Sequence, residues 1–119
     1  MYKRVLRTKS FLFAISIIDL YKDLKDNHRE YVLSKQILRS GTSVGAMIRE
    51  SEFSESKLDF IHKLAIAQKE INETIYWLEL LNTGGFITND SFNTLNESSI
   101  EIIKMLTSSI KTVKSSIAK

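Results

Sequence analysis

Residues 36–51 read QILRSGTSVGAMIRES, and their reading decides the fold. The chain has no proline and only 4 glycines in 119 residues. Gly41 and Gly45 nevertheless both fall in this stretch, where Ile37, Val44 and Ile48 recur with Leu33 at helical spacing. A glycine inside a helix costs about 1 kcal/mol relative to alanine. Two of them forfeit roughly 2 kcal/mol unless something requires the missing side chains. Ser40, Gly41, Ser43, Gly45 and Ala46 form a patch on which another helix can approach closely. Gly41 lies on the seam of Leu33, Ile37, Val44 and Ile48, and Gly45 is rotated about 40° from it. Both therefore serve contact with neighbouring helices. The alternative is that Gly41 marks a kink or a point where a ligand meets bare backbone. The glycine-xxx-glycine spacing is also that of membrane helix dimers, but Lys35, Arg39, Arg49 and Glu50 exclude a span here.

Outward from this stretch, three more periodic segments follow. Ser10 is the expected cap of a first helix running to about Asp26, closed by the polar break Asp26-Asn27-His28. The second helix is predicted over about 31–51. Ser54 is the expected cap of a third, from about Glu55 to Asn82, stopped by Thr83-Gly84-Gly85. A fourth begins at Thr88, Asn89 or Asp90 and runs nearly to the end. No strand pattern and no internal repeat interrupts them. The expected fold is all-α, an up-down-up-down four-helix bundle forming one domain over 1–119. At 1.5 Å per residue the third helix is roughly 40 Å long, so the bundle is a rod.

A lone bundle needs one buried stripe per helix. The fourth helix obeys, with Leu95, Ile102, Leu106, Ile110, Val113 and Ile117 in line and Lys104 and Lys111 on the far side. The first does not: Phe13, Ile17, Leu20 and Leu24 make one seam, and Phe11, Ala14, Ile18 and Tyr21 a second about 110° away. In the third, Phe60, Leu64, Ala67, Ile71, Ile75 and Leu78 make the core stripe. Ile66, Trp77 and Leu80 are expected opposite it, with Tyr76 at the edge. Aromatic residues on a second apolar face favour an interface. The expected subunit contacts are Gly41, Gly45, Ile66, Tyr76, Trp77 and Leu80, and the expected state is a homo-oligomer.

Charge is modest but uneven. The formal net charge is +3. Lys3, Arg4, Arg7 and Lys9 precede any acid, while Lys104, Lys111, Lys114 and Lys119 lie near the other terminus. Between Glu50 and Glu79 acids outnumber Lys57, Lys63 and Lys69. This distribution can serve a polyanion, although an ordinary solvated surface is the commoner explanation. The Phe11–Ile18 run follows a basic stretch as in a secretory signal, but Asp19 ends it and no cleavage pattern follows. With no cysteine, disulfides and thiolate chemistry are excluded, and a cytoplasmic setting is expected.

Catalytic chemistry finds no foothold. Asp59-Phe60-Ile61-His62 is a single carboxylate-x-x-His fragment, whereas a di-metal bundle takes one from each of two helices. Gly84-Gly85 lacks the lysine and hydroxyl of a phosphate loop, and no nucleophile elbow is present. Glu50, Glu52 and Glu55 suit the positive end of the third helix better than acid–base work. No enzyme, cofactor or metal is expected.

Four segments carry a resemblance: Gln36–Ser40, Thr42–Glu50, Ser56–Ile61 and Ile66–Leu78. They are similar to the bacterial four-helix-bundle proteins encoded by intervening sequences of 23S ribosomal RNA genes. Met47 stands where that family often has asparagine, within Ser-Ile-x-x-Asn-Ile. The resemblance implies a barrel-shaped homopentamer. It extends to the accessory variability proteins of diversity-generating retroelements, which bind a reverse transcriptase and nucleic acid through basic surface. The expected role is therefore a non-enzymatic oligomeric scaffold that binds nucleic acid, RNA first, through Arg4, Arg7, Lys9, Arg39, Arg49, Lys104, Lys111 and Lys114. The competing expectation is a protein-interaction adaptor with no nucleic-acid role.

Overall fold

The polar breaks in the sequence are where the chain turns. The computed structural model describes residues 2–118, and the side chains of 3–117. Met1 and the expected cation Lys119 lie outside the described residues. The helices are α1 (Tyr2–His28), α2 (Leu33–Ser51), α3 (Lys57–Thr83) and α4 (Asn89–Ala118). Among the described residues there is no strand.

Each turn is set by identifiable groups. After α1, Arg29 takes a left-handed φ of 51°, and the Glu30 amide reaches back to the Leu24 carbonyl at 2.9 Å. The Glu30 carboxylate then accepts from the amides of Leu33 at 3.0 Å and Ser34 at 2.7 Å. It thereby satisfies the orphan donors that open α2. At α3 the cap is Ser56, not Ser54. Ser56 has extended backbone and its Oγ accepts from the Asp59 amide at 3.0 Å. Ser54 instead donates to the Ser51 carbonyl at 2.7 Å, so it belongs to the unwinding end of α2. Gly85 has φ 82°, which places the Phe86 amide 2.9 Å from the Leu81 carbonyl and the Gly85 amide 3.1 Å from that of Asn82. This paired closure favours glycine at the left-handed position. Thr88 Oγ1 accepts from the Ser91 amide at 3.1 Å and opens α4.

The first helix departs from expectation. Ser10 caps nothing: it is buried mid-helix, and its Oγ donates to the Arg7 carbonyl at 3.1 Å. Leu6 continues the buried seam of Phe13 and Ile17 upstream of it, so the helix gains by winding on. The basic residues at the start are consequently helical rather than a loose arm.

Helices adjacent in sequence pack together, α4 closes the ring against α1, and among the described residues the backbones of the diagonal pairs α1–α3 and α2–α4 make no close approach. The molecule is a rod of 52 × 22 × 20 Å. Its core draws on all four helices, with Ile17, Leu24, Ile37, Val44, Ile71, Leu78, Leu81 and Leu106 fully enclosed. Burying each such aliphatic side chain contributes about 1.5–3 kcal/mol. Thr74 is also enclosed. Its Oγ1 lies 2.9 Å from Ser40 Oγ and 2.8 Å from the Glu70 carbonyl, so the α2–α3 contact carries a satisfied polar pair. Ile117, expected in the α4 stripe, is exposed because α4 outruns the core.

Gly41 is buried against α1. A Cβ there would stand 2.8 Å from both Ile17 Cγ1 and Cγ2, whereas at Gly45 the nearest foreign atom, the Ser10 carbonyl oxygen, would be 3.4 Å away. Gly41→Ala is therefore expected to destabilise the chain by about 1–3 kcal/mol through overpacking. Gly45→Ala is expected to stabilise it by up to about 1 kcal/mol through helix propensity. Urea unfolding of both variants measures the contrast; equal behaviour would show that Ile17 yields freely.

Candidate interaction surfaces

Among the described residues, apolar side chains stay uncovered along α1 and along α3, and Val32, Phe53 and Leu58 are exposed singly at or beside the turns. On α1 the seam Phe13–Ile17–Leu24 faces inward, and the opposite side carries Phe11, 51% exposed, Leu12, 56%, Ile15, 41%, and Ile18. Their spacing places them on adjoining rows of one helix face. Ala14 and Tyr21, expected in this second seam, are half-buried instead. Leu12 and Ile15 were not singled out by sequence reasoning. Their signal was the i, i+4, i+7 series Phe11, Ile15, Ile18.

The second surface lies along the outer side of α3, where Tyr76 is 56% exposed and Leu80 is also uncovered. Trp77, expected opposite the core, is instead half-buried against it. Its Nε1 donates to Glu73 Oε1 at 3.2 Å, and its ring sits 5.1 Å from that of Tyr76. An indole is wide enough to reach round the flank of its helix, which helical spacing alone does not convey. Ile66 is likewise half-buried. Gly41 and Gly45, expected at a subunit contact, lie in the α1–α2 seam of a single chain.

The eight expected nucleic-acid contacts divide into two sets. Arg7 pairs with Glu52 at 3.6 Å, Lys9 with Glu101, and Arg39 with Glu70 at 3.5 Å and Glu73 at 2.5 Å. Arg39 thus braces α2 against α3, and its charge is largely answered within the chain. Arg49 stands 5.3 Å over the Phe11 ring, a cation–π contact that leaves its charge uncompensated. Arg4, Arg49, Lys104, Lys111 and Lys114 are all exposed and have no carboxylate partner among the described residues. Because the helices alternate in direction, the start of α1 and the ends of α2 and α4 share one end of the rod. Lys3, Ile48 and Val113 line one cavity there. Arg4, Arg49, Lys111 and Lys114 are thereby gathered toward that end, with Lys104 further along α4.

Asp59 serves the start of α3, accepting from the Glu55 amide at 3.2 Å, and His62 is exposed. Among the described residues no three His, Cys, Asp or Glu side chains converge to hold a metal ion. No helix among them is long and apolar enough to cross a membrane.

Comparison with known proteins adds a family. The profile described as 23S rRNA-intervening sequence protein matches residues 4–108. A crystal structure of a protein of unknown function from the S23 ribosomal protein family of Bacteroides thetaiotaomicron superposes with a TM-score of 0.92. It is 53% identical to this chain, and the alignment covers 93% of this chain and 99% of that one. No curated protein matches. Neither description indicates an enzymatic family.

The division of cations is measurable. Brief acylation of the native chain should modify Lys104, Lys111 and Lys114 faster than Lys9, whose ammonium is held by Glu101. Peptide mass spectrometry reads the ratio, and equal rates would show that the Lys9 pair does not persist in solution.

Proposed function

This chain belongs to the 23S rRNA-intervening sequence protein family, and from that membership we propose that it is a non-enzymatic scaffold that self-assembles and binds nucleic acid, RNA first, through its unpaired cations. The observation that carries the reading is the exposed stripe Phe11, Leu12, Ile15 and Ile18 on α1. Contiguous apolar surface of this kind marks an interaction site. The outer side of α3, with Tyr76 and Leu80, offers a second and unlike surface on the opposite corner of the bundle. Two unlike faces suit head-to-tail assembly around a ring, and the homopentamer implied by the resemblance is the closed form we favour.

Nucleic-acid binding rests on Arg4, Arg49, Lys104, Lys111 and Lys114. One subunit with a formal charge of +3 is a weak polyanion ligand, but repeating the same cations around an oligomer gives avidity without new contacts. Among the described residues Phe11 alone lies against one of these cations, Arg49, and no row of aromatic side chains accompanies them, so the binding is salt-sensitive and weakly sequence-selective. The further resemblance to retroelement accessory proteins supports the same use of basic surface.

Two measurements test the parts separately. Phe11→Glu with Ile15→Glu is expected to reduce the particle to the 13.7 kDa subunit in light scattering with helicity retained; an unchanged mass would show that α1 is not the contact. Affinity for structured RNA is expected to fall with salt. Replacing Lys104, Lys111 and Lys114 by Gln should shallow the log–log slope by about 0.7–0.9 per lost phosphate contact, whereas Lys9→Gln leaves it unchanged. No binding at low salt would leave the protein-interaction adaptor as the surviving reading.

A further inference from the structure

Among the described residues, the end of the rod where α1 begins and α4 finishes is not sealed. Leu6, Ile48, Leu64 and Ile110 are the last well-buried apolar residues toward that end. Beyond them Phe60 and Val113 only half close the space between the helices. A cavity of about 180 Å³ remains, walled by Leu6, Ile48, Phe60, Leu64 and Val113. A dry apolar cavity of about 150 Å³ is enough to hold benzene.

Its polar fittings are few and one-sided. Glu52 lines the space, and its Oε2 is shielded from solvent with no hydrogen-bond partner among the described residues. The nearest cation, Arg7 Nε, is 3.6 Å away, within ion-pair reach but too far for a hydrogen bond. Ser51 Oγ also lines the cavity, and its proton is committed to the Ile48 carbonyl at 2.5 Å. The enclosed oxygens therefore have acceptor capacity and lack a donor, and leaving such a carboxylate oxygen unsatisfied is costly. Lys3 sits at the rim, its Nζ 5.9 Å from the centre of the Phe60 ring.

These observations select a ligand. The walls call for an apolar body of one or two rings, or a branched aliphatic chain of that bulk. The free oxygen calls for one hydrogen-bond donor. Charge is disfavoured in both directions, since a cation meets Lys3 and Arg7 and an anion meets Glu52. We propose that this cavity binds a small neutral molecule, of the size of phenol or indole, with its apolar body on Leu6, Phe60 and Leu64 and its donor on Glu52 Oε2. The site lies at the end of the bundle, separate from the exposed α1 stripe, and does not depend on assembly or on nucleic acid.

The test is an amide NMR titration of the full chain with phenol, indole, toluene, benzylamine and phenylacetate. Phenol and indole are expected to shift the signals of Leu6, Phe60 and Leu64, and to bind about tenfold more tightly than toluene, with the charged compounds weakest. Glu52→Met should erase the preference for phenol over toluene while toluene still binds. Ser109→Leu, projecting into the same space from α4, should abolish binding of both with the melting temperature maintained. The proposal is overturned if about 10 mM phenol moves none of these signals, if the shifts map elsewhere, or if the preference survives in Glu52→Met.

Discussion

Ile17 occupies the space that a side chain on Gly41 would fill, and the rest of the bundle is indexed to that contact. Both residues are buried. Interiors are packed at crystal-like density, so a methyl group there has nowhere to go. Further along the same pair of helices the backbone of Ser10 faces Gly45, the Phe11 ring lies under Arg49, and Arg7 meets Glu52. All three pairings lie nearer the start of α1 and the end of α2 than the Ile17–Gly41 contact. The helix-propensity cost of glycine is thus offset by letting α1 lie close to α2 over a long seam.

Much of this was legible beforehand because apolar periodicity is a strong signal in long helices. The seam Ile37, Val44, Ile48 and the stop at Gly84-Gly85 stand where the pattern puts them. The misses share a cause. Ser10 and Ser54 have the right chemistry for caps, but Ser10 lies inside a helix and the Ser54 hydroxyl is given to the Ser51 carbonyl, whereas Ser56 has extended backbone and accepts from the Asp59 amide. Ser10 was overruled by Leu6, whose burial rewards an earlier start. Trp77 was misplaced because spacing locates a Cα direction, whereas a broad side chain chooses its own contacts. Which lysines and arginines stand unpaired was not readable at all. Arg39 and Glu73 are 34 positions apart in sequence, and only the register of α2 on α3 brings them together.

That register also sorts the charge by use. Arg39 with Glu70 and Glu73, Lys63 with Glu50, and Lys9 with Glu101 link different helices across their exposed faces. Such exposed pairs contribute little to stability, about 0–1 kcal/mol each. Their larger effect is on the surface field, because every cation answered by a neighbouring acid is removed from the set that can meet an external polyanion. The basic character suggested by composition is therefore carried by fewer residues than a count implies, with Arg4, Arg49, Lys111 and Lys114 toward one end of the rod.

The diagonal placement of α1 and α3 has a geometric consequence for any array built from their outward sides. A chain of identical blocks joined front to back turns by a fixed angle at every joint, and that angle comes from how the two corner helices are inclined within each block. Since α1 is seated on Ile17 and Gly41, a tilt of a few degrees at that seat would accumulate from joint to joint. The same residue that tightens the interior would thus also decide whether the series closes on itself or continues as an open fibre.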